Sequence, residues 1–131
     1  MTEETMNLNQ VTIAVTDLAR SIQFYETLGL RRIVQSDRYA RFVCPEGGST
    51  FSLEVVDVAP TGFPTVVYFE CLELDDTVQA LKVRGVRFSS EPRDEPWLWR
   101  EARLRDPDGH PLCLYFAGEN RLSPPWRIKD A

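Results

Sequence analysis

The sequence predicts an α+β fold made of two tandem βαβββ modules whose strands form a curled mixed sheet. The main support is a repeat with a constant offset of 56 residues. Gln10 corresponds to Val66 at the start of a strand, and Gly29 corresponds to Gly85 at the end of a helix. One unit of this length cannot bury its apolar face alone, so two copies predict a paired architecture with a seam where a ligand can bind. Chance similarity between two ordinary strand–helix units is the alternative.

Two further observations agree with this fold. The 131 residues and the hydrophobic content of 43% suit one compact globular domain. Short runs in which apolar and polar residues alternate follow each helix, as in half-buried strands. A segment rich in proline and glycine, residues 59–64, separates the two copies. Because these residues rarely continue a strand ladder, this segment is the expected linker.

The first module, residues 9–58, follows a polar tail at residues 1–8. It opens with a strand at 10–15, in which apolar and polar side chains alternate. Asp17 is a suitable N-cap for the helix that follows, and Gly29 is a suitable left-handed stop. The module is completed by three further strands, which we expect at 31–35, 39–44 and 50–58.

The second module, residues 65–117, repeats this order. The sequence Asp-Pro-Asp-Gly at 106–109 predicts a tight hairpin turn, because proline presets φ and glycine accepts a positive φ. Residues 118–131 form a C-terminal tail, which we expect to be extended and anchored by Trp126. The expected elements are a strand at 65–71, a helix at 75–84, a strand at 86–88, a proline-rich loop, and strands at 99–105 and 112–116.

Composition argues against several functional classes. A net charge of −5 leaves no electrostatic footprint for nucleic acid. No apolar stretch approaches the roughly 20 residues that cross a bilayer, and the acidic N-terminus is unlike a signal peptide, so we expect a cytoplasmic protein with no membrane partner. Three cysteines, an odd number, argue against a disulfide framework. With His110 as the single histidine, a two-histidine metal site within one chain is excluded and a hydrolase triad is disfavoured.

The alternation of side chains along the strands separates two sheet faces. One set is uniformly apolar and must pack under the helices: Val11, Ile13, Val15, Leu53, Val55, Val67, Phe69, Cys71, Leu112, Leu114 and Phe116. The opposite set mixes polar and aromatic groups: Gln10, Thr12, Ala14, Ser52, Glu54, Val56, Val66, Tyr68, Glu70, Cys113 and Tyr115. A merely solvated face would carry more lysine and glutamate. The second set therefore favours a concave ligand-binding face over a solvated or interface face.

Two motifs resemble one known family. Residues 11–30, VTIAVTDLARSIQFYETLGL, resemble the opening of the vicinal oxygen chelate superfamily of glyoxalases, bleomycin resistance proteins and extradiol dioxygenases. Residues 105–115, RDPDGHPLCLY, resemble its closing hairpin. The resemblance covers residues 8–117 and implies the glyoxalase/bleomycin resistance fold and a homodimer. It does not single out a reaction, since the superfamily includes lyases, dioxygenases, thiol transferases and non-catalytic binders.

The resemblance also implies a metal site with one ligand from each of four strands, typically two histidines and two glutamates. The corresponding positions here are Gln10, Glu54, Val66 and Cys113. Valine supplies no donor, glutamine is a weak donor, and cysteine is a soft ligand only as a thiolate. A catalytic divalent ion needs three or more ligands. We therefore expect no cofactor, with weak binding of Zn, Ni or Mn as the alternative and an apolar filler role for Cys113.

We expect the concave face of the curled sheet, which we call the cup, to carry a degenerate metal site and to bind a small, partly apolar organic molecule. Glu54, if buried without a cation, would have a raised pKa and could serve as a catalytic base. Trp97 and Trp99 fit pocket walls and loop anchors equally well. Two alternatives are a metal-dependent lyase or dioxygenase with altered ligands, and a non-catalytic dimerisation module whose cup is filled by its own side chains. The expected ligand-binding residues are Gln10, Glu54, Val66, Tyr68, Cys113, Tyr115 and Trp99.

Overall fold

The computed structural model describes residues 7–62 and 65–129, and its architecture is α+β as predicted. The chain forms two compact units that divide between Thr61 and Gly62. Each unit contains one four-stranded mixed sheet and one α-helix. Part of the predicted N-terminal tail, two residues of the predicted linker and the last two residues of the chain lie outside the described residues.

The first unit has the predicted βαβββ order. Its strands lie in the sheet order β1-β4-β3-β2, with β1 parallel to β4 and the other neighbours antiparallel. A parallel first pair needs a crossover, which the helix supplies. The elements are β1 (Gln10–Val15), α1 (Leu18–Leu28), β2 (Arg31–Ser36), β3 (Tyr39–Val43) and β4 (Thr50–Val55).

The second unit repeats this topology. Its sheet order is β5-β8-β7-β6, again with one parallel pair, β5 with β8. The matching order confirms the repeat that the sequence predicted. The elements are β5 (Val67–Glu70), α2 (Leu74–Val83), β6 (Arg93–Asp94), β7 (Arg100–Arg105) and β8 (Pro111–Phe116), followed by a 3-10 helix at Gly118–Arg121.

Both helices end in the same hydrogen-bonded turn. In α1 the N–H of Leu30 donates to the carbonyl of Tyr25 at 3.1 Å, and 56 residues later the equivalent bond measures 3.0 Å. Gly29 and Gly85, with φ of 106° and 92°, occupy the left-handed region that residues with a Cβ avoid. The side chain of Asp17 accepts from the N–H three residues further on, at 3.0 Å. The predicted cap and glycine stops are therefore confirmed.

Each helix buries one apolar stripe against its own sheet. In the first unit, α1 packs on β2, β3 and β4, and in the second, α2 packs on β7 and β8. The buried apolar residues of the first unit include Val15, Ile22, Tyr25, Phe42, Phe51 and Leu53. Those of the second unit include Leu74, Val78, Leu81, Leu104, Leu112 and Leu114.

Two segments differ from the prediction. The strand expected at 86–88 is reduced to a single bridge between Phe88 and Leu104, whereas β6 lies inside the expected proline-rich loop. Because β6 pairs only two residues with β7, it has no alternating pattern for the sequence to reveal. The tail, expected to be extended, begins with the 3-10 helix and makes a turn in which the N–H of Arg127 donates to Pro124 at 3.0 Å. No helix in the described ranges is long and apolar enough to cross a membrane.

Candidate functional site

Gln10 belongs to a polar network on the face of the first sheet opposite α1. Its amide nitrogen donates to the hydroxyls of Thr12 and Ser52 at 3.0 and 2.9 Å, and its amide oxygen accepts from Thr50. The Tyr39 hydroxyl lies 2.7 Å from the Ser52 hydroxyl. That hydrogen bond, helped by the guanidinium two residues along β3, lowers the pKa of Tyr39. Because the chain itself uses the Gln10 amide, this side chain has little capacity left for a ligand.

The predicted site required Glu54 to lie beside Gln10, but the structure places the two residues apart. In the ladder of β1 and β4, Gln10 pairs with Thr50, whereas Glu54 pairs with Ala14. Four residues separate the two rows, which is roughly 13 Å along a strand. Glu54 is also exposed, whereas the catalytic role required a buried carboxylate. The catalytic role of Glu54 stays a prediction, but the burial on which that prediction was based is not present.

The strand register gives Ser52, rather than Glu54, the position in the first unit that corresponds to Cys113. Thr12 pairs with Ser52, and Tyr68, which lies 56 residues after Thr12, pairs with Cys113. A shift of one residue moves a side chain to the other face, but a shift of two residues keeps it on the same face. Side-chain alternation therefore could not distinguish Ser52 from Glu54.

Three aromatic rings meet on the face of the second sheet opposite α2, which we call the aromatic face. The ring centroids of Trp99 and Tyr115 are 4.7 Å apart and stacked, and Tyr68 meets both edge-on at 5.9 and 5.5 Å. Tyr115 forms a buried cluster with Cys113 and Ala117, and Val66 and Trp99 pack against that cluster. Tyr68 keeps 40% of its surface exposed. Five of the seven predicted ligand-binding residues thus lie together in the second unit.

A strained turn leads into the aromatic face. Leu98 has a φ of 69°, the one positive φ among the described residues other than glycine. A side chain with a Cβ in this region costs roughly 1–2 kcal/mol. The turn is held by a bond from the Leu98 N–H to Glu95 at 2.9 Å and one from the Glu95 N–H to Trp99 at 2.8 Å. Strain of this kind is concentrated at binding and active sites. Here the strained residue, Leu98, lies between Trp97 and Trp99.

A buried ion pair lies beside the aromatic rings. Glu101 is 3% exposed and accepts from Arg103 Nη2 at 2.8 Å and from Trp97 Nε1 at 2.7 Å. Arg103 Nη2 also donates to the Tyr68 hydroxyl at 3.2 Å, and its guanidinium carbon lies 5.4 Å from the Tyr68 ring centroid. The aromatic face is therefore apolar at its centre and carries fixed charges at one side.

Cys113 behaves as a buried apolar group, which agrees with the filler role. Its relative exposure is 0%. Burial, together with the carboxylate of Glu101, raises the pKa of the Cys113 thiol to about 12, and the Arg103 guanidinium offsets part of this effect. The thiol is therefore protonated at neutral pH, and it lacks the thiolate that binds metals.

The residues at the implied metal positions do not fit a metal ion. Val66 supplies no donor, the Gln10 amide is held by the chain, and the Cys113 thiol is protonated at neutral pH. The register removes Glu54 from the row of Gln10. Throughout residues 7–62 and 65–129, no group of three or more histidine, cysteine, aspartate or glutamate side chains could hold a metal ion. We derive no chemistry through a metal at these positions.

A separate open groove of about 470 Å³ lies in the first unit, between α1 and β2. The Arg32 side chain at its edge donates to Gln35 at 2.6 Å and pairs with Glu26 at 3.3 Å. This groove carries neither aromatic side chains nor a buried charged group, so it makes a weaker candidate site than the aromatic face.

Sequence reasoning missed the contribution of β7. Neither Arg103 nor Glu101 was among the expected site residues. The register pairs Glu101 with Tyr115 and Arg103 with Cys113, which places both on the aromatic face. The signal was present in the alternation of Glu101, Arg103 and Arg105 along the strand. It could not be used without knowing which residue of β8 each one faces.

Comparison with known proteins confirms the resemblance drawn from the two motifs. A family model described as Glyoxalase/Bleomycin resistance protein/Dioxygenase superfamily matches residues 7–114. A glyoxalase/bleomycin resistance protein/dioxygenase from Nocardioides shares 24% identity over 97% of this chain and 92% of its own, with a TM-score of 0.75. A superfamily member from Sphaerobacter thermophilus DSM 20745 shares 25% identity over 86% of this chain and 98% of its own, with a TM-score of 0.71. A lactoylglutathione lyase from Agrobacterium tumefaciens shares 14% identity over 87% of this chain and 96% of its own, also with a TM-score of 0.71. No curated protein matches this sequence.

Proposed function

We propose that this chain, which belongs to the glyoxalase/bleomycin resistance protein/dioxygenase superfamily, binds a small, partly apolar organic molecule on its aromatic face without the help of a metal. The observation that carries this proposal is the group of Tyr68, Trp99 and Tyr115, packed with centroid distances of 4.7 to 5.9 Å beside a buried ion pair. Small-molecule sites are typically lined by apolar and aromatic side chains with a few well-placed polar groups.

The accessibility of the rings supports this assignment. Tyr68 and Trp97 are 40% and 43% exposed, whereas Tyr115 is 7% exposed. An exposed ring beside a buried one leaves a π surface on which a flat ligand can lie. Val66, which is partly buried against Cys113 and Tyr115, adds an apolar surface beside the rings, whereas Cys113 is fully buried beneath them.

Replacing Tyr68 with alanine is expected to weaken binding of a flat neutral probe, 2-naphthalenemethanol, by about 5- to 10-fold, because one aromatic contact is worth about 0.5–1.5 kcal/mol beyond its buried area. Quenching of tryptophan fluorescence measures the dissociation constant, since Trp97 and Trp99 both lie at the site. Tyr68→Phe should keep most of the affinity. Leu72→Ala, which alters a side chain that is 76% exposed in the same unit, is the matched control. Equal affinity of Tyr68→Ala and the wild-type protein would exclude this face as the binding site.

Titration of the protein with Zn, Ni and Mn at pH 7, followed by calorimetry, is expected to show no stoichiometric binding in the sub-micromolar range. The reason is the donor set: one valine, one amide held by the chain and one thiol whose pKa is about 12. One ion bound per chain with sub-micromolar affinity, and lost in Glu54→Ala, would contradict this. It would favour the metal-dependent lyase or dioxygenase instead.

We also propose a homodimer. Strand β2 lies at the edge of the first sheet, and its six residues are exposed, including Ile33 at 49% and Val34 at 40%. An exposed apolar edge strand is a template for pairing with another chain, and two-fold pairing is the commonest closed assembly. Light scattering should therefore give about twice the chain mass of 15.0 kDa. The double variant Ile33→Lys, Val34→Lys should have the mass of a single chain. A wild-type protein with the mass of a single chain would refute the dimer.

A further inference from the structure

Both carboxylates of the aromatic face already have partners within the protein. Both carboxylate oxygens of Glu101 accept protein donors, from Arg103 at 2.8 Å and Trp97 at 2.7 Å. Glu70, which pairs with Tyr115 in the adjacent strand, accepts from the N–H groups of Ala117 and Gly118 at 2.9 and 3.0 Å. Glu101 is 3% exposed, and Oε1 of Glu70 lies 3.9 Å from Arg121 Nε, so neither carboxylate is an exposed anion without a partner that would favour a cationic ligand.

The donors of the same face are only partly used. A guanidinium carries five N–H groups. In the described part of the chain, Arg103 Nη2 supplies both of the hydrogen bonds that this side chain donates, to Glu101 and to the Tyr68 hydroxyl. The N–H groups of Nε and Nη1 remain available, and the Arg103 side chain is 36% exposed. The Tyr68 hydroxyl accepts from Arg103, so its own hydrogen can be donated to a ligand.

The position of these donors relative to the rings limits the shape of the ligand. The guanidinium carbon of Arg103 lies 5.4 Å from the Tyr68 ring centroid, and Tyr68 in turn meets Trp99 and Tyr115 edge-on. A group bound by Arg103 is therefore next to the exposed π surface. A planar carboxylate matches the fork of a guanidinium better than a neutral acceptor does, and the resulting hydrogen bonds are charge-assisted.

From this inventory we propose that the ligand is a flat, conjugated carboxylic acid. Its carboxylate pairs with Arg103 and accepts from the Tyr68 hydroxyl, while its rings lie against Tyr68 and Trp99. This inference rests on the function proposed above, because it assigns a chemical class to the molecule bound on the aromatic face. In this arrangement Glu101 is a positioning residue, since it holds the guanidinium against the sheet and does not touch the ligand.

Three naphthalene probes with the same ring system and different charge test the proposal. The dissociation constants of 2-naphthoate, 2-naphthalenemethanol and 2-naphthylmethylammonium are measured by tryptophan fluorescence at pH 7.5. We expect naphthoate to bind about 10-fold more tightly than the alcohol, because charge-assisted hydrogen bonds are stronger than neutral ones, although partial exposure of Arg103 reduces the gain. The cation should bind most weakly. Added salt should weaken naphthoate binding and leave the alcohol unchanged.

Variants of the ion pair separate binding from folding. Arg103→Gln should remove the preference for naphthoate over the alcohol, while Arg103→Lys, which keeps the charge without the fork, should restore part of it. Glu101→Gln should strengthen naphthoate binding about 3-fold, because the amide oxygen can still accept the hydrogen bond that positions Arg103 while the guanidinium loses its neutralising charge. A purely structural role for the pair predicts weaker binding of every probe in both Arg103→Gln and Glu101→Gln. Thermal unfolding of each variant shows whether it is folded at the temperature of the titration.

The outcomes distinguish the two proposals. If the alcohol or the cation binds as tightly as naphthoate, the aromatic face is a binding site and the carboxylate assignment is wrong. If Glu101→Gln weakens naphthoate binding in a folded protein, the assignment also fails. If none of the three probes binds at millimolar concentration, both proposals fail.

Discussion

Replacing Tyr25 with alanine is expected to lower the free energy of unfolding of the first unit by about 3–5 kcal/mol. Tyr25 is 0% exposed, and its ring lies 4.8 Å from Phe51 and 6.2 Å from Phe42, measured between centroids. The helix α1 contacts its sheet through few side chains, so the loss of this ring removes its central contact and leaves a cavity.

The measurement has to report on the first unit alone, because two compact units need not unfold together. All three tryptophans, Trp97, Trp99 and Trp126, belong to the second unit. Hydrogen exchange of the β3 and β4 amides is the suitable observable, since it gives the free energy of local and global opening. Gln23→Ala, an exposed change on the same helix, should shift this free energy by less than about 0.5 kcal/mol. A loss below 1 kcal/mol in Tyr25→Ala would show that the ring is not the centre of this core.

Arg103→Ala is expected to lower the free energy of unfolding of the second unit by about 2–3 kcal/mol. The change leaves the Glu101 carboxylate, which is 3% exposed, without its cation, while Trp97 Nε1 still donates to it at 2.7 Å. Removing one partner of a buried pair leaves an uncompensated buried charge, and the partial exposure of Arg103 places the effect at the lower end of the usual range. Urea denaturation followed by tryptophan fluorescence measures it directly in this unit.

A double substitution supplies the control. In Arg103→Ala with Glu101→Gln the buried charge is absent, so at least half of the lost stability should return. Additive losses in the two single variants and the double variant would mean that Arg103 and Glu101 do not interact. Arg100→Ala is the comparison for an ion pair with exposed carboxylates, because Arg100 contacts Asp75 and Asp94 at 2.8–3.1 Å and these two side chains are 60% and 84% exposed. Its expected loss is below about 1 kcal/mol.

The features that could be predicted from the sequence are those whose interactions are local. The cap at Asp17 and the stops at Gly29 and Gly85 depend on hydrogen bonds that span three to five residues, so the residues that form them are neighbours in the sequence. The α+β class and the apolar faces of the strands followed in the same way, because periods of 3.6 and 2 are properties of single segments. The short strand β6 had too few residues to show a period.

The set of side chains that share a site depends on how the strands pair, and it could not be predicted from the sequence. Alternation assigns a residue to a face of the sheet, but its position along the neighbouring strand depends on the register, and a shift of two residues leaves the alternation unchanged. Because of this ambiguity, the sequence predicted Glu54 as a site residue beside Gln10, whereas the register places Ser52 at that position. The same register brought Glu101 and Arg103 beside Cys113 and Tyr115, and so completed the aromatic face. Pairing between strands is set by packing over the whole unit, which no single stretch of sequence contains.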